Sequence, residues 1–550
     1  MSIPRPRNLN VRARIAEARV TAAELLDDAG IAANFARDLP GWVRQTVTVD
    51  AAARDIRERL ATRDQRFLAN AARLIYAVPD SPYRALLRLA GCELGDLRTL
   101  VGRDGLNGAL AVLAQGGVYV TLDELKGRAD AVRGSQRFRF RREQFDNRQI
   151  RAHVVIYSGG TRGRPTRIRR SLALLDHAAA TTAVVLAAHR LHNPQHVLWL
   201  TGPIGWLLAY TRIGQTPTHW FHPLSPLPRR VRLGAQALRN YGRLIGVSFP
   251  VPQYADLQQP ERLAAWLARQ RDGSRPLVVT TIASAATRVA IAARERGMAL
   301  DHVTFNLTSE PTTTARHAHI VTSGAGAIVH YAAREAPNLT YSCATPDAVD
   351  DVHVMTDCYA MIAHQRPAAA DRPPTNALLM TSLSAAASTI LLNTELGDAG
   401  HLTARACGCA LGALGLTTHL REIRSFEKLT GEGVTFGTGA LEHLIEQVLP
   451  ARFGGTSMDY QIVEYEAADS FTRVSIRVHP AVGALDEPAV VASVLAELER
   501  GSMIDHHQAA LWRAAGTVSV VRQPPLASAV GKVLPFHFVR HTLDNPRSVR

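Results

Sequence analysis

The stretch Tyr157 to Arg170 reads Tyr-Ser-Gly-Gly-Thr-Arg-Gly-Arg-Pro-Thr-Arg-Ile-Arg-Arg and holds the residue types that grip a polyphosphate. Glycine lets backbone N–H groups approach phosphate oxygens, hydroxyls add donors, and arginines offset charge. Ser158, Gly159, Gly160, Thr161, Gly163 and Arg167 are therefore candidate contacts to a nucleoside triphosphate. No Lys-Ser/Thr pair follows a glycine at the spacing a Walker A loop needs. A second group of residue types suits a soft metal. Cys407 and Cys409, with Cys343 and either His353 or Cys358, could supply four ligands to a tetrahedral zinc. A third feature is basic: Arg133 to Arg151 contains Arg-Phe-Arg-Phe-Arg-Arg at 137–142, an interleaving that occurs in nucleic-acid binders but reads first as a solvated strand or hairpin edge, since arginine runs through the whole chain.

Elements must hold these groups. His153 to Ile156 reads as a strand before the glycine-rich turn, and Ser171 to Leu191 as a helix after it. Strands are expected at 277–281, 302–307 and 327–331, separated by helical runs, so a largely parallel sheet with helices on it follows. Residues 376–424 are rich in strand and turn signals. The last 125 or so residues differ: a helix face at Leu441, Leu444, Ile445, Val448 and Leu449 precedes a half-buried strand at Val474, Ile476 and Val478. The predicted fold class is α/β: a large N-terminal domain of layered sheets and helices with a small β-rich subdomain (1–424, with 1–75 a helical lead-in), then a small mobile α+β C-terminal domain (425–550).

Several segments in this order resemble the adenylate-forming enzymes, in particular the phenylacetate–CoA ligase-like branch. The loop at 158–167 is similar to that family's Ser-Gly-Thr-Thr-Gly-x-Pro-Lys, with Thr166 at the lysine position and Arg167 next. Ser309-Glu310-Pro311-Thr312 resembles its Gly-Glu-Pro turn, and Tyr331-Ala332-Ala333-Arg334-Glu335 its Tyr-Gly-x-Thr-Glu motif, with Ala332 and Arg334 as departures. Thr394 to Gly400 is similar to its Tyr-x-Thr-Gly-Asp segment, and Arg424 to Lys428 to its hinge. Gly531-Lys532 resembles its C-terminal Gly-Lys.

The resemblance implies a function and roles. ATP and magnesium would activate an aryl or apolar carboxylic acid as an acyl-adenylate, and a thiol, coenzyme A above all, would take the acyl group. Asp398 would hold the ribose, Tyr331 flank the adenine, Glu335 help hold magnesium, and Ser309 and Glu310 border the nucleotide. Arg424 would reach the nucleotide, Glu427 or Lys428 would act as the swivel, and Lys532 would approach the carboxylate and α-phosphate. The segments Trp199 to Trp206 and His219 to His222 would line an acyl pocket. Some members of the branch carry a structural zinc, and a homodimer is a family-level expectation. Two alternatives stay open: transfer to an amine or a carrier-protein thiol, and a basic nucleic-acid-binding protein.

Composition bounds the rest. The chain has 550 residues, 46% hydrophobic and 20% charged, enough for two to four domains. Its net charge of +15 favours anionic partners, and nearly all the cations are arginine. No apolar run is long enough to span a membrane and no signal peptide is evident. Five cysteines, odd and sparse, suit a reducing cytoplasm rather than a disulfide framework.

Overall fold

The computed structural model describes residues 9–158, 166–271, 275–366, 375–425, 428–429, 436–437, 441, 443–467, 469–500, 503–526 and 536–539. The helical lead-in begins with α1 (Leu9–Arg44) and α2 (Val49–Ala61), the latter capped by Thr48, whose hydroxyl accepts from the Ala51 N–H. Helical structure breaks at Thr62, and Ile56, Phe67, Ala71 and Leu74 on either side are all buried. Helix α3 (Leu94–Gln115) follows. Val120 forms a single bridge with Thr394.

The glycine-rich segment is a hairpin rather than a strand followed by a turn. Strands β1 (Val154–Ser158) and β2 (Thr166–Arg170) pair antiparallel, Ile156 opposite Ile168, and helix α4 (Leu172–Ala188) follows directly. The alternation Arg167, Ile168, Arg169 gives β2 its one buried position, Ile168.

A six-stranded, fully parallel sheet forms the centre. Its strands are β3 (Gln195–Trp199), β4 (His219–His222), β5 (Pro252–Tyr254), β6 (Leu277–Ile282), β7 (Val303–Thr308) and β8 (Gly326–Val329), in the order β8-β7-β6-β3-β4-β5. Helices α5 (Ile204–Arg212), α6 (Arg229–Leu244), α7 (Ala283–Glu295) and α8 (Thr314–Thr322) connect or flank them. Both faces are covered, as parallel sheets require. Val197, Val279 and Phe305 join one core, while Leu198, Val278 and Ile328 join the other.

The segment from 340 to 425 forms a second six-stranded sheet, mostly antiparallel. Its strands are β9 (Thr340–Ser342), β10 (Val352–Val354), β11 (Tyr359–Arg366), β12 (Thr375–Ser382), β13 (Thr394–Ala404) and β14 (Thr418–Ser425), in the order β9-β10-β14-β13-β12-β11. The C-terminal α+β unit holds β15 (Tyr460–Glu466), β16 (Thr472–Val478), α9 (Glu487–Glu499), α10 (Met503–Ala515), β17 (Val518–Val521) and β18 (Phe536–Val539), with sheet order β17-β16-β15-β18. The half-buried reading of β16 is corrected. Ser475 and Arg477, expected on a solvent face, are buried as well, because Arg477 donates to the Pro524 carbonyl. No helix among the described residues is long and apolar enough to cross a membrane.

Candidate functional site

Ligands of open parallel sheets sit beyond the carboxyl ends of the strands, where loops diverge. Here those ends carry Trp199, His222, Ile282, Thr308 and, one residue beyond β8, His330. All five border a cavity of about 1010 Å³. Strand alternation splits its wall: Trp220 and His222 line it, while their neighbours His219 and Phe221 turn away onto Trp266. Trp206 of α5 and Val231 and Leu238 of α6 close one side, and Gln508 and Leu511 of α10 border another. The two segments expected to form an acyl pocket therefore both contribute to it.

Helix α1 supplies a wall that sequence reading missed. Ile31 and Phe35 face the cavity. The helix is tied to the β1–β2 hairpin by charge. Arg167 donates to Asp27 (2.8 Å) and to Asp28, and Arg169 reaches Asp27 at 3.1 Å. Burial pushes the Asp27 carboxyl up, but Arg167 and Arg169 outweigh it and hold it below its ordinary range. His153 Nε2 meets Asp38 at 2.9 Å while its Nδ1 accepts the Leu172 N–H, which fixes its tautomer. Arg167, the expected phosphate contact, is thus engaged by acids from α1. Gly159, Gly160, Thr161 and Gly163 lie outside the described residues, as do Glu427 and Lys532; Ser158 is described in backbone only, as the last residue of β1.

Two other cations reach the cavity. Arg170, at the end of β2, donates to the Arg334 carbonyl at 3.1 Å, and both side chains border the space. Arg334 is exposed and borders the cavity. Burial pushes the Arg170 guanidinium down to about 10 and lowers Arg334 as well, with Glu335 opposing both shifts. Both remain charged at neutral pH. Glu335 itself is buried.

The remaining expected residues fall into two groups, one around Asp398 and one at the turn after β7. The Tyr331 hydroxyl donates to Asp398 Oδ2 at 3.0 Å, and burial together with that carboxylate raises the phenol well above its ordinary value. Asp398 on β13 is the register partner of Ser425 on β14, and Ala399 that of Arg424. Arg424 sits 3.4 Å from Asp350 and keeps about two-fifths of its side chain exposed. Ser309 follows β7 with φ of 68°, a left-handed backbone that a non-glycine residue adopts at some cost. Glu310 serves packing: its carboxylate accepts the Ser284 N–H at 2.6 Å and lies 3.5 Å from Arg316. Arg316 in turn donates to the Ser470 carbonyl and to Thr472, both at 2.8 Å, which links the turn to the C-terminal sheet.

At the opposite end of β13 and β14 lies a Cys/His cluster. Donor atoms of Cys343, His353, Cys407 and His419 all fall within 4.8 Å of one another. Cys409 Sγ is 3.4 Å from Cys407 Sγ and 3.1 Å from His353 Nε2. His353 Nδ1 donates to the Leu416 carbonyl at 2.6 Å, so the Nε2 lone pair points at the sulfurs. His419 Nδ1 meets Asp351 at 2.7 Å, and its buried Nε2 has no partner among the described residues. Outer hydrogen bonds of this kind orient imidazoles toward metals, so the donor set fits zinc. Cys358 is corrected out of the set. Its thiol lies against Asp357 (3.4 Å) and His177 (3.8 Å), on the chain between β10 and β11. His419, which the sequence reading left out, takes its place because it is the register partner of His353 on the neighbouring strand.

Part of the basic patch is engaged in packing, while Arg137, Arg139, Arg141, Arg148 and Arg151 stay exposed. Arg133 pairs with Glu124 at 2.9 Å, Arg142 with Asp146 at 2.7 Å, and Phe140 is buried against Phe138 and Phe145.

No family model and no curated protein matches the sequence. Among solved structures, the chain is similar to 2-hydroxyisobutyryl-CoA ligase in complex with 2-HIB-AMP and CoA (14% identity, 90% of this chain and 91% of that one, TM-score 0.48). It is also similar to a malonyl-CoA ligase ternary product complex with methylmalonyl-CoA and AMP bound (11%, 68% and 72%, TM-score 0.40). A third is an amide bond synthetase from Marinactinospora thermotolerans (13%, 88% and 97%, TM-score 0.39). At 11–14% identity and TM-scores of 0.48 and below, these likenesses stay descriptive. The functional reading stands on the chain's own geometry.

Proposed function

We propose that this protein is an ATP-dependent carboxylate ligase that forms an acyl-adenylate and passes the acyl group to a thiol, with coenzyme A as the acceptor. The observation that carries the reading is the pair of arginines, Arg170 and Arg334, that border a half-open, largely apolar cavity, with the Tyr331–Asp398 hydrogen bond on the same short segment as Arg334. An acceptor carboxylate with two oxygens suits the paired hydroxyls of a ribose, and Tyr331 holds Asp398 in place. Arg170 and Arg334 supply charge where phosphate and carboxylate would meet, a role the absent loop lysine cannot take. Preorganised cations in a water-poor site stabilise the negative charge that builds as the acid attacks phosphorus. Lys532 is proposed to add a further cation during that step, and Glu335 to hold magnesium with the nucleotide.

The division at 424/425 is proposed to be a swivel. The contacts of Arg316 with Ser470 and Thr472, and of Thr313 with Glu466 at 2.8 Å, would define one docked arrangement. Rotation about 427–428 would exchange it for the thiol-accepting one. Zinc on the Cys343, His353, Cys407, His419 and Cys409 cluster is proposed as a structural clamp on the β13–β14 pair, which carries Asp398 and Arg424 at its other end.

Hydroxylamine trapping with ATP across a panel of carboxylic acids tests the reading, run with and without coenzyme A and beside Lys532→Ala. Hydroxamate from some acid, lost in the variant, is expected. Silence across a broad panel overturns the ligase reading; product that forms only with an amine or carrier protein overturns the acceptor.

A further inference from the structure

His330 is a polar group of the cavity wall that the proposed chemistry does not use; His222 and Gln508 are others. It is 6% exposed, borders the cavity, and neither ring nitrogen has a hydrogen-bond partner among the described residues. Its ring is nevertheless firmly placed, edge-on to Trp206 (5.1 Å, 75°) and 4.5 Å from Tyr341. Trp206 stands beside it, and the same cavity is lined by Trp220, Val231, Leu238 and, from α1, Phe35, with Arg170, Thr201, Thr308 and Ser309 among its polar borders. Burial pushes the imidazole down to about 3, so it is neutral at physiological pH and offers one N–H and one lone pair. Buried polar atoms are nearly always paired, and a pocket lined this way leaves the pairing to whatever fills it.

Resting on the ligase reading, we infer that the acid carries a hydroxyl or amino substituent on a ring or chain that lies between these aromatic walls, and that His330 selects it. One substituent reaches one ring nitrogen, and a hydroxyl serves whichever faces the ligand, donating to the lone pair or accepting from the N–H, whereas a carboxylate can only accept. It also has Arg170 and Arg334 at the mouth. A methyl or halogen of similar size fills the space without meeting either nitrogen. His330 is a specificity-determining residue here, not one that touches the reacting atoms.

Matched acids that differ only in hydroxyl, amino, methyl or chloro at one position decide the matter. Adenylation is followed by pyrophosphate exchange, and binding without ATP by quenching of tryptophan fluorescence. The hydroxyl or amino members should lead their apolar matches by about 10- to 100-fold in kcat/KM, the range expected when a buried polar group is left unpaired. His330→Phe should erase that lead through KM while leaving the apolar members as good or better. His330→Gln, which keeps a donor and an acceptor, should restore part of it. Equal treatment of both members by the native protein overturns the inference, as does an equal loss for both in His330→Phe. If no acid is adenylated but the binding preference holds and depends on residue 330, the ligase reading falls and the pocket assignment stands.

Discussion

The two six-stranded sheets treat their polar groups in opposite ways. In the antiparallel sheet the buried charges pair with one another, as His419 Nδ1 meets Asp351, Arg405 meets Asp351 and Asp347, and the His353 N–H goes to a carbonyl, while His419 Nε2 has no partner among the described residues. At the carboxyl ends of the parallel sheet, Ser309 holds a left-handed backbone, two arginines converge and His330 stands unpartnered among the described residues. The first pattern is what a scaffold needs, because satisfied networks rigidify. The second is what a binding site shows before its ligand arrives. Asp398 belongs to the scaffold sheet yet points to Tyr331, so the nucleotide is expected where the two regimes meet.

The largest effect should come from the residues proposed to act on the nucleotide. Lys532→Ala should lower adenylation by roughly a thousandfold with substrate binding little changed, the size seen when one transition-state donor is lost. Asp398→Ala should raise the KM for ATP by roughly a hundredfold, since two charge-assisted hydrogen bonds go. A normal KM in Asp398→Ala would break the proposed division between scaffold and site.

Metal content comes next. Elemental analysis should find about one zinc per chain, and chelation should lower the melting midpoint by several degrees, because a site loaded at a thousand times Kd adds roughly 4 kcal/mol. Cys407→Ser should behave like chelation, whereas Cys358→Ser should leave the metal content unchanged. Retention of zinc in Cys407→Ser would remove the clamp from the scaffold sheet.

Acid sensitivity follows in size. Burial pushes His196 and His330 of the parallel-sheet region down to about 4 and about 3. Their folded-state values lie below the unfolded value of about 6.5, so the unfolded chain binds more protons in between. Stability is fully present above that value and declines as pH falls toward 4, at about 1.4 kcal/mol per pH unit for each histidine. Denaturation midpoints across pH 7 to 4 check this, and His330→Phe should flatten the decline.

The smallest effect concerns α1. Asp27→Asn with Asp28→Asn removes partly exposed ion pairs worth about 0–1 kcal/mol, so stability should barely move. The KM for ATP should fall a few-fold if Arg167 reaches phosphate when released. An unchanged KM would make the α1–hairpin link purely structural.

Much of this was readable in the residues. The helix at Leu172–Ala188, the buried strands at 277–282 and 303–308, and the Tyr331, Asp398 and Arg424 segments follow from periodicity and local motifs, which act over a few residues. Strand β2 was hidden because its arginines mask the alternation around Ile168. His353 against Cys358 could not be settled along the chain, since ligand choice depends on strand pairing: His353 faces His419 across a ladder, while Cys358 lies beyond β10. His330 gave no signal at all, a lone histidine beside a motif tyrosine.

Sequence by itself therefore determined the α/β class and the basic, cysteine-poor composition. These depend on residue type and near-neighbour spacing. Tertiary structure alone decided that α1 walls the cavity and engages Arg167, that Glu310 serves packing, that the metal donors include His419, and that His330 is left without a partner. Each of these is set by contacts between residues far apart along the chain, whose geometry exists only once the sheets have formed.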